Sequence, residues 1–170
     1  MKLISSDIVE KTWKKTGGMT PQEIQEMIDF MSKEQPIILA YLMAVGNDVF
    51  NQDERELLLY LGVVVWQIMS QAQADTALPI ITEDTLDRVE KSNMNMLESL
   101  EGESDAGFIA ATEKIINNYS QPEVLKYVVE ALTEEPEADC LIRDENKGIM
   151  TIYLKTVIDC FNKEFNEAKN

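Results

Sequence analysis

The sequence predicts an all-α fold, a single globular multi-helix domain of about eight helices over residues 1–170. Helix-start signals recur along the chain, and apolar residues return every three or four positions. No segment sustains the apolar/polar alternation that a half-buried strand requires. A chain of 170 residues with 45% hydrophobic residues is large and apolar enough to bury one core without a metal or disulfides.

Four helices are predicted in the first half of the chain. The second has the fullest signal, because Thr20 and Glu23 form a capping box and Pro21 occupies the first helical position. The predicted segments are a short helix from Asp7 to Gly17, a helix over 21–34, the apolar segment Ile37 to Val45 after Pro36, and the block Leu57 to Met69 after Asn51 and Glu54.

Four more helices are predicted in the second half. The final helix is the longest, with Met150, Leu154, Val157, Phe161 and Phe165 along one face. One helix starts at Thr82 and ends at a cap at Gly102, and the next runs from Ser104 or Asp105 to about Asn118. Ser120 with Glu123 starts a helix over 121–134, and Asp144 starts the last helix.

The segments Ile37–Val45 and Leu57–Met69 are apolar on nearly every side, whereas the other helices are amphipathic. Thirteen residues rise only about 20 Å as a helix, too short to cross a membrane. We therefore predict a buried helical hairpin surrounded by six helices. Gly62, inside the second segment, costs about 1 kcal/mol relative to Ala, so we expect the backbone of a neighbouring element to approach it closely.

The net charge of −16 argues against direct binding to nucleic acid or to an anionic membrane, because both require a basic surface. The acids are unevenly distributed. Residues 98–145 hold 13 Asp and Glu against Lys114, Lys126 and Arg143. This concentration predicts one strongly negative side of the molecule.

The chain contains no histidine, which excludes Ser-His-Asp and Cys-His catalysis and every histidine-ligated metal. Nucleophile-elbow and phosphate-loop motifs are also missing, and no cofactor is predicted. The two cysteines, Cys140 and Cys160, are not in metal-ligand spacing, and the first residues lack the apolar core of a signal peptide. We expect a cytoplasmic protein.

Carboxylates are the remaining candidates for chemistry, since clustered Asp and Glu can hold Mg²⁺ against a phosphorylated substrate. For each group a capping role or a solvated surface position is the favoured interpretation, and Glu54 is the most notable because it leads into the apolar block. The candidate groups are Glu23 with Glu26, Asp84 with Asp87, Glu98 with Glu101, and the run Asp53, Glu54 and Glu56.

Three further features of the sequence, a loop, a basic patch and an asparagine, each have a structural as well as a functional interpretation. Asp144-x-Asn146-x-Gly148 begins like a calcium loop but lacks the glycine and glutamate that an EF-hand needs at positions six and twelve. The patch Lys11 to Lys15 around Trp13 could contact an acidic partner or an anionic membrane surface, although packing of Trp13 onto the domain is the favoured interpretation. Asn93, in an apolar helix face, could fix the register of a helix pair or line a polar pocket, although a position at the edge of that face or pairing with the backbone is the favoured interpretation.

We expect a non-enzymatic domain that binds another protein, a basic one in view of the acidic face, and that can itself form a homo-oligomer. One form would be an inhibitor whose carboxylates replace nucleic-acid phosphates. The first alternative is a metal-dependent helical phosphohydrolase whose carboxylates converge in a cleft. The second is a small-ligand sensor with a closed pocket among Tyr41, Tyr60, Trp66 and Tyr153.

Overall fold

The computed structural model describes residues 1–71, 77–100, 115–116, 118–134 and 141–167. These ranges contain helices and connecting turns and no strand, which confirms the all-α prediction. The helices are α1 (Ser6–Gly17), α2 (Pro21–Glu34), α3 (Pro36–Ala44), α4 (Gln52–Gln71), α5 (Glu83–Leu100), α6 (Pro122–Thr133) and α7 (Asp144–Glu167).

Local capping signals predicted the helix starts well. At α2 the Thr20 side chain and the Glu23 carboxylate form the complete reciprocal box. At α4 the Glu54 N–H donates to Asn51 Oδ1 at 2.9 Å, and the Asn51 N–H donates back to Glu54 Oε2 at 3.0 Å. Both boxes satisfy backbone donors that would otherwise be free in the first turn of a helix.

The start of α6 differs from the prediction. The helix begins at Pro122 with Gln121 as its N-cap, and no side chain caps it. Ser120, the predicted cap, instead accepts a hydrogen bond from Asn162 Nδ2 at 3.0 Å. Proline at the first helical position explains the shift, because it lacks an N–H and its fixed φ suits that place.

The core is centred on α4 and α7, which pack against each other while α5 packs along α7. Leu61 to Trp66 of α4 are buried without interruption. The predicted apolar face of α7, from Met150 to Phe165, is likewise buried. The apolar part of α4 is therefore enclosed by other helices, as an all-round apolar helix requires, and α7 buries its apolar face.

The predicted hairpin is present as the pair α3 and α4, but its two members differ in burial. Ile38, Leu39 and Leu42 of α3 are buried, whereas Met43 is 61% exposed. The expected reason for Gly62 is wrong: a Cβ at this position would lie 2.7 Å from Leu42 Cδ2, so a side chain rather than a backbone approaches it.

Part of the prediction lies outside the described residues. This applies to the cap at Gly102 and to most of the helix predicted from Ser104 or Asp105, of which Ile115 and Ile116 are described and are helical. Within the described ranges, no helix is both long enough and apolar enough to cross a membrane.

Candidate functional site

The best candidate site is an open groove of about 260 Å³ between α5, α6 and α7. Almost all of its wall is apolar. The main lining residues are Met96, Leu97, Ile115, Ile116, Val129 and Ile152, with Leu125 and Leu132 behind them. A groove of this size is slightly smaller than the usual small-ligand pocket of about 300–1,000 Å³.

Helical spacing explains how each element contributes to the groove. On α6, Leu125, Val129 and Leu132 are separated by four and three residues and therefore share one face. On α7, Gly148, Ile152 and Lys155 repeat the same spacing. Neither face is fully covered by its own neighbours, since Val129 stays half-buried and Thr133 and Gly148 are exposed. The two faces form the opposite walls of the groove.

A buried lysine, Lys155, is one of the lining residues of the groove and is 8% exposed. Its ammonium donates to Asp159 Oδ2 at 2.5 Å and to Asn93 Oδ1 at 2.7 Å, and it lies 5.1 Å from the centre of the Tyr119 ring. Because its donors are directed at these groups, the side chain presents mainly its methylenes to the groove.

The remaining polar atoms around Asp159 are also paired. Asp159 Oδ1 accepts from the Tyr119 hydroxyl at 2.6 Å, and Asn93 Nδ2 donates to Asp159 Oδ2 at 3.0 Å and to Thr156 Oγ1 at 3.1 Å. Burial and the Asp159 carboxylate hold the pKa of Tyr119 well above its usual range. A phenol that stays protonated and a satisfied ammonium suit a structural network rather than acid–base chemistry.

This network corresponds to one of the roles considered for Asn93, that of fixing the register of a helix pair. The side chain is 4% exposed and joins α5 to Thr156, Lys155 and Asp159 of α7. Buried polar atoms must find partners, so sliding α5 along α7 would leave these groups unpaired. Asn93 therefore fixes the register of the helix pair that forms one side of the groove.

A second buried charged cluster lies at the other end of α7, around Glu54. This carboxylate is fully buried and accepts from Arg143 Nε at 3.0 Å, Arg143 Nη2 at 2.6 Å and the Arg143 N–H at 2.9 Å. Asn146 Nδ2 donates to both carboxylate oxygens at 3.0 Å. Burial alone would raise the pKa of Glu54, but hydrogen bonds from Arg143, Asn51 and Asn146 outweigh it and lower the pKa to about 2.

The Glu54 cluster also accounts for the sequence that begins like a calcium loop. Asn146 uses its side chain on Glu54, and Asp144 is exposed and pairs with Lys147 at 2.7 Å. These residues, with Gly148, belong to the first turns of α7. The segment is therefore a helix start rather than a loop wrapped around a cation.

The predicted carboxylate pairs are not brought together with one another. Glu23 serves the α2 cap, and Asp84 pairs with Arg88 at 3.1 Å. Glu26, Glu56, Asp87 and Glu98 are exposed, and Glu101 lies outside the described residues. In the part of the chain that the structure describes, no group of three or more Cys, Asp and Glu could hold a metal ion.

The basic patch on α1 borders a separate, polar groove shared with α6. Trp13 is 39% exposed and lies beside Lys14, whose ammonium is 5.8 Å from the Trp13 ring centre and pairs with Glu10. Glu123, Lys126 and Glu130 line the opposite wall. With acids and lysines on both sides, this surface has no strong preference for an acidic partner.

The four aromatic residues proposed for a sensor pocket do not surround the apolar groove. Tyr41 and Tyr153 pack edge to face with ring centres 6.1 Å apart, and Trp66 packs against Phe30 at 5.8 Å. Burial raises the pKa of Tyr60, and neighbouring Tyr127 is affected in the same way. Tyr41 and Trp66 belong to the hydrophobic core, and Tyr60 and Tyr153 pack against it.

The groove itself was missed by sequence reasoning. Its residues come from three separate helices, and each lies on a face that the sequence marks only as apolar. The available signal was Lys155, a charged residue one position after the core residue Leu154, together with Gly148 inside the same helix. Neither residue indicates by itself which other helices meet there.

The described residues form an all-α fold with an apolar groove, and among them no group of three or more Cys, Asp and Glu could hold a metal ion. No protein-family model, no curated protein and no solved structure matches the chain. Its function must therefore be argued from the geometry.

Proposed function

We propose that this chain is a non-enzymatic domain that binds a partner protein through the groove between α5, α6 and α7. The observation that carries this proposal is the groove of about 260 Å³, whose almost wholly apolar wall the described residues leave open at the surface. Burial of apolar area is the main source of affinity in protein association, and anchoring side chains inserted into such grooves dominate it. Leu97, Val129 and Ile152 are the residues that would contact the anchors.

The polar groups around the groove support binding rather than catalysis. The Lys155 ammonium, the Asp159 carboxylate and the Tyr119 hydroxyl are held by one another. A general base or nucleophile must be able to reach a substrate atom, and a group already fixed in a closed network cannot do so without breaking it. Lys147, at the other end, is paired with Asp144.

Charge favours a basic partner. The chain carries a net charge of −16. Three exposed acids are close in sequence to residues that line the groove: Glu98 follows Leu97, Glu134 follows Thr133, and Asp144 precedes Lys147 by three residues. Exposed carboxylates around an apolar centre would speed the approach of a basic protein and exclude acidic ones. This arrangement supports the partner class expected from composition.

The test is comparative capture on two immobilised variants. Thr133→Trp places a large ring at the mouth of the groove from an exposed position, and Ser32→Trp makes the same kind of change on the exposed face of α2. From an extract of the source cells, we expect specific proteins on the wild type and on Ser32→Trp, and their loss from Thr133→Trp. Mass spectrometry identifies them, and their retention should fall as salt rises.

Two results would contradict the proposal. Equal retention of the same proteins by both tryptophan variants would show that binding does not use the groove. Retention that is unchanged by salt would remove the electrostatic part of the argument. Circular dichroism of each variant confirms that the helices are intact before the comparison is made.

A further inference from the structure

Gln121 holds a distant segment of the chain through both polar atoms of its side-chain amide. Its Oε1 accepts from the Ile4 N–H at 3.0 Å, and its Nε2 donates to the Lys2 carbonyl at 2.9 Å. Gln121 and Ile4 are buried, and residues 2–4 have no regular secondary structure. We call residues 2–4 the first strap. One amide thus fixes the carbonyl of one strap residue and the N–H of the residue two positions later.

Gln35 makes the same pair of bonds to a second segment. Its Oε1 accepts from the Ile81 N–H at 3.1 Å, and its Nε2 donates to the Pro79 carbonyl at 2.9 Å. Gln35 and Ile81 are also buried. Residues 79–81 are the second strap and likewise have no regular secondary structure. Buried polar groups need partners, so each glutamine and its strap hold one another in place.

The two glutamines occupy equivalent places in the chain. Each directly precedes a proline that starts a helix, α3 after Gln35 and α6 after Gln121. Their φ and ψ are nearly the same, −141° and 60° for Gln35 and −136° and 68° for Gln121, and neither side chain caps its own helix. The pattern Gln-Pro-x-(Ile/Val)-Leu-x-Tyr then occurs in both helices, over residues 35–41 and 121–127.

The straps also continue in the same way. Each ends at a buried isoleucine, and a helix begins two residues later, α1 after Ile4 and α5 after Ile81. Buried positions then recur with identical spacing in the two helices, at Val9, Thr12 and Thr16 of α1 and at Leu86, Val89 and Asn93 of α5. Each strap and its helix therefore bury equivalent faces.

The packing of the helices repeats as well. Helices α1 and α3 pack against α4, and α5 and α6 pack against α7. Between these two groups, α1 packs against α6 and α3 packs against α5. Glu54 and Asn146, the third residues of α4 and α7, are hydrogen-bonded to each other at 3.0 Å. Contacts that stay the same when two units are interchanged are those of a twofold dimer.

From these correspondences we infer that the chain is a fused pseudo-dimer of two like units, residues 2–71 and the described residues of 79–167, and that its two buried glutamines form reciprocal latches between the units. Gln121 of the second unit holds the first strap, and Gln35 of the first unit holds the second strap. Opening one latch releases the strap of the opposite unit and the first turn of the helix after it, while the other latch stays closed.

Each strap is attached lightly enough to open by itself. Ile4 and Ile81 are buried, whereas Leu3 is 72% and Ile80 is 62% exposed. The Ser5 side chain does not cap α1, so the first turn of that helix depends on the strap for its position. A segment with one buried anchor and two hydrogen bonds from a single amide opens at a lower free energy than the whole domain.

Hydrogen exchange of the full chain, measured by nuclear magnetic resonance, tests the latches at two amides that do not contact a glutamine side chain. The Val9 N–H donates to the Ser5 carbonyl in the first turn of α1, and the Leu86 N–H donates to the Thr82 carbonyl at the start of α5. Exchange at these amides reports whether release of a strap extends into the helix that follows it.

The variants are Gln121→Met and Gln35→Met, which keep the length of the side chain and remove both bonds to the strap. Gln25→Met is the matched control, because Gln25 is exposed and bonds to Asp29 within its own helix. Ile4→Ala and Ile81→Ala remove the anchor from the strap instead. They should give the same two outcomes even where a methionine variant fails to fold.

We expect Gln121→Met to raise exchange at Val9 by about tenfold or more and to leave Leu86 within about twofold of the wild type. Gln35→Met should do the reverse, with a smaller rise at Leu86 because the Thr82 side chain accepts from the Thr85 N–H at 3.2 Å. The control should change neither amide. A rise at both amides in each variant that folds, or at neither, would overturn the reciprocal latches.

A transplanted strap tests the equivalence of the two units. Lys2→Pro, Leu3→Ile and Ser5→Thr together give the first strap the residues of the second. The latch uses the carbonyl of Lys2, which proline retains. We expect an unchanged thermal midpoint and exchange at Val9 no faster than in the wild type. A lower midpoint or faster exchange at Val9 would show that the straps are not interchangeable, and the pseudo-dimer would be wrong.

Discussion

At the scale of single residues, Glu54 is the clearest case of a side chain whose position determines its chemistry. It is fully buried, yet five hydrogen bonds from Arg143 and Asn146 and one from the Asn51 N–H keep it ionised. The cluster joins the start of α4 to the start of α7 across 89 residues of sequence. Removing one partner of a buried pair costs more than the pair contributes, because the other group is left unsatisfied.

We expect Glu54→Gln to lower the free energy of unfolding by about 3 kcal/mol at pH 7, since it leaves the Arg143 donors without a charged acceptor. Urea denaturation measures the change. Glu56→Gln is the matched control, because Glu56 is exposed and only accepts from Gln52 Nε2 at 2.7 Å. This control should change stability by about 0.5 kcal/mol or less.

The loss of stability in Glu54→Gln should depend on pH. The folded-state pKa of Glu54 is lowered from 4.5 to about 2, so its contribution is complete above the ordinary carboxyl pKa and is lost as the pH falls toward 2. The difference between wild type and Glu54→Gln should therefore be constant above about pH 5.5 and shrink below it. A difference that stays constant down to pH 2.5 would show that the charge of Glu54 is not what stabilises the fold.

At the scale of elements, the two helical glycines Gly62 and Gly148 receive opposite predictions for the same substitution. Alanine is the better helix former by about 1 kcal/mol at both positions. At Gly148 the added methyl meets no atom of the described residues within 4 Å, whereas at Gly62 it enters the volume of Leu42, which is 3% exposed. Overpacking of a filled core costs about 1–3 kcal/mol, which exceeds the gain in propensity.

We therefore expect Gly62→Ala to destabilise the domain by about 1 kcal/mol, measured by urea denaturation. A double-mutant cycle with Leu42→Ala isolates the cause, because removing the Leu42 side chain leaves room for the new methyl. In that background Gly62→Ala should be neutral or stabilising. If it is equally destabilising in both backgrounds, contact with Leu42 is not the reason for the glycine.

Helix positions could be predicted from sequence because caps and apolar spacing are local. The N-caps predicted at Thr20 and Asn51 are correct, and the N-cap predicted at Ser120 is wrong by one residue, since Gln121 takes that place. Helix partners could not be predicted in this way. The Asn93 network depends on α5 lying against α7, more than 60 residues later. The groove requires a third helix as well, so its residues carry no local signal.

At the scale of the whole molecule, charge is the dominant property. The chain carries 15 basic against 31 acidic residues and no histidine. Like charges at this density repel one another in the folded state more than in the extended chain. The exposed ion pairs of the described helices, such as Lys14 with Glu10 and Lys126 with Glu130, offset little of that repulsion.

Added salt should therefore stabilise this protein. Raising NaCl from 0.01 M to 0.1 M at pH 7 shortens the screening length from about 30 Å to about 10 Å, and we expect the thermal midpoint to rise by about 3 °C or more. A fall would mean that attractive ion pairs outweigh the net repulsion.

The thermal midpoint also tests the phosphohydrolase alternative. Eight of the 31 acidic residues lie outside the described ranges, so a carboxylate site could include them. MgCl₂ at equal ionic strength should give the same midpoint as NaCl if the chain acts by protein binding alone. A saturable extra stabilisation at low millimolar Mg²⁺ would instead indicate a carboxylate metal site, because a ligand that binds only the folded state raises its stability with concentration.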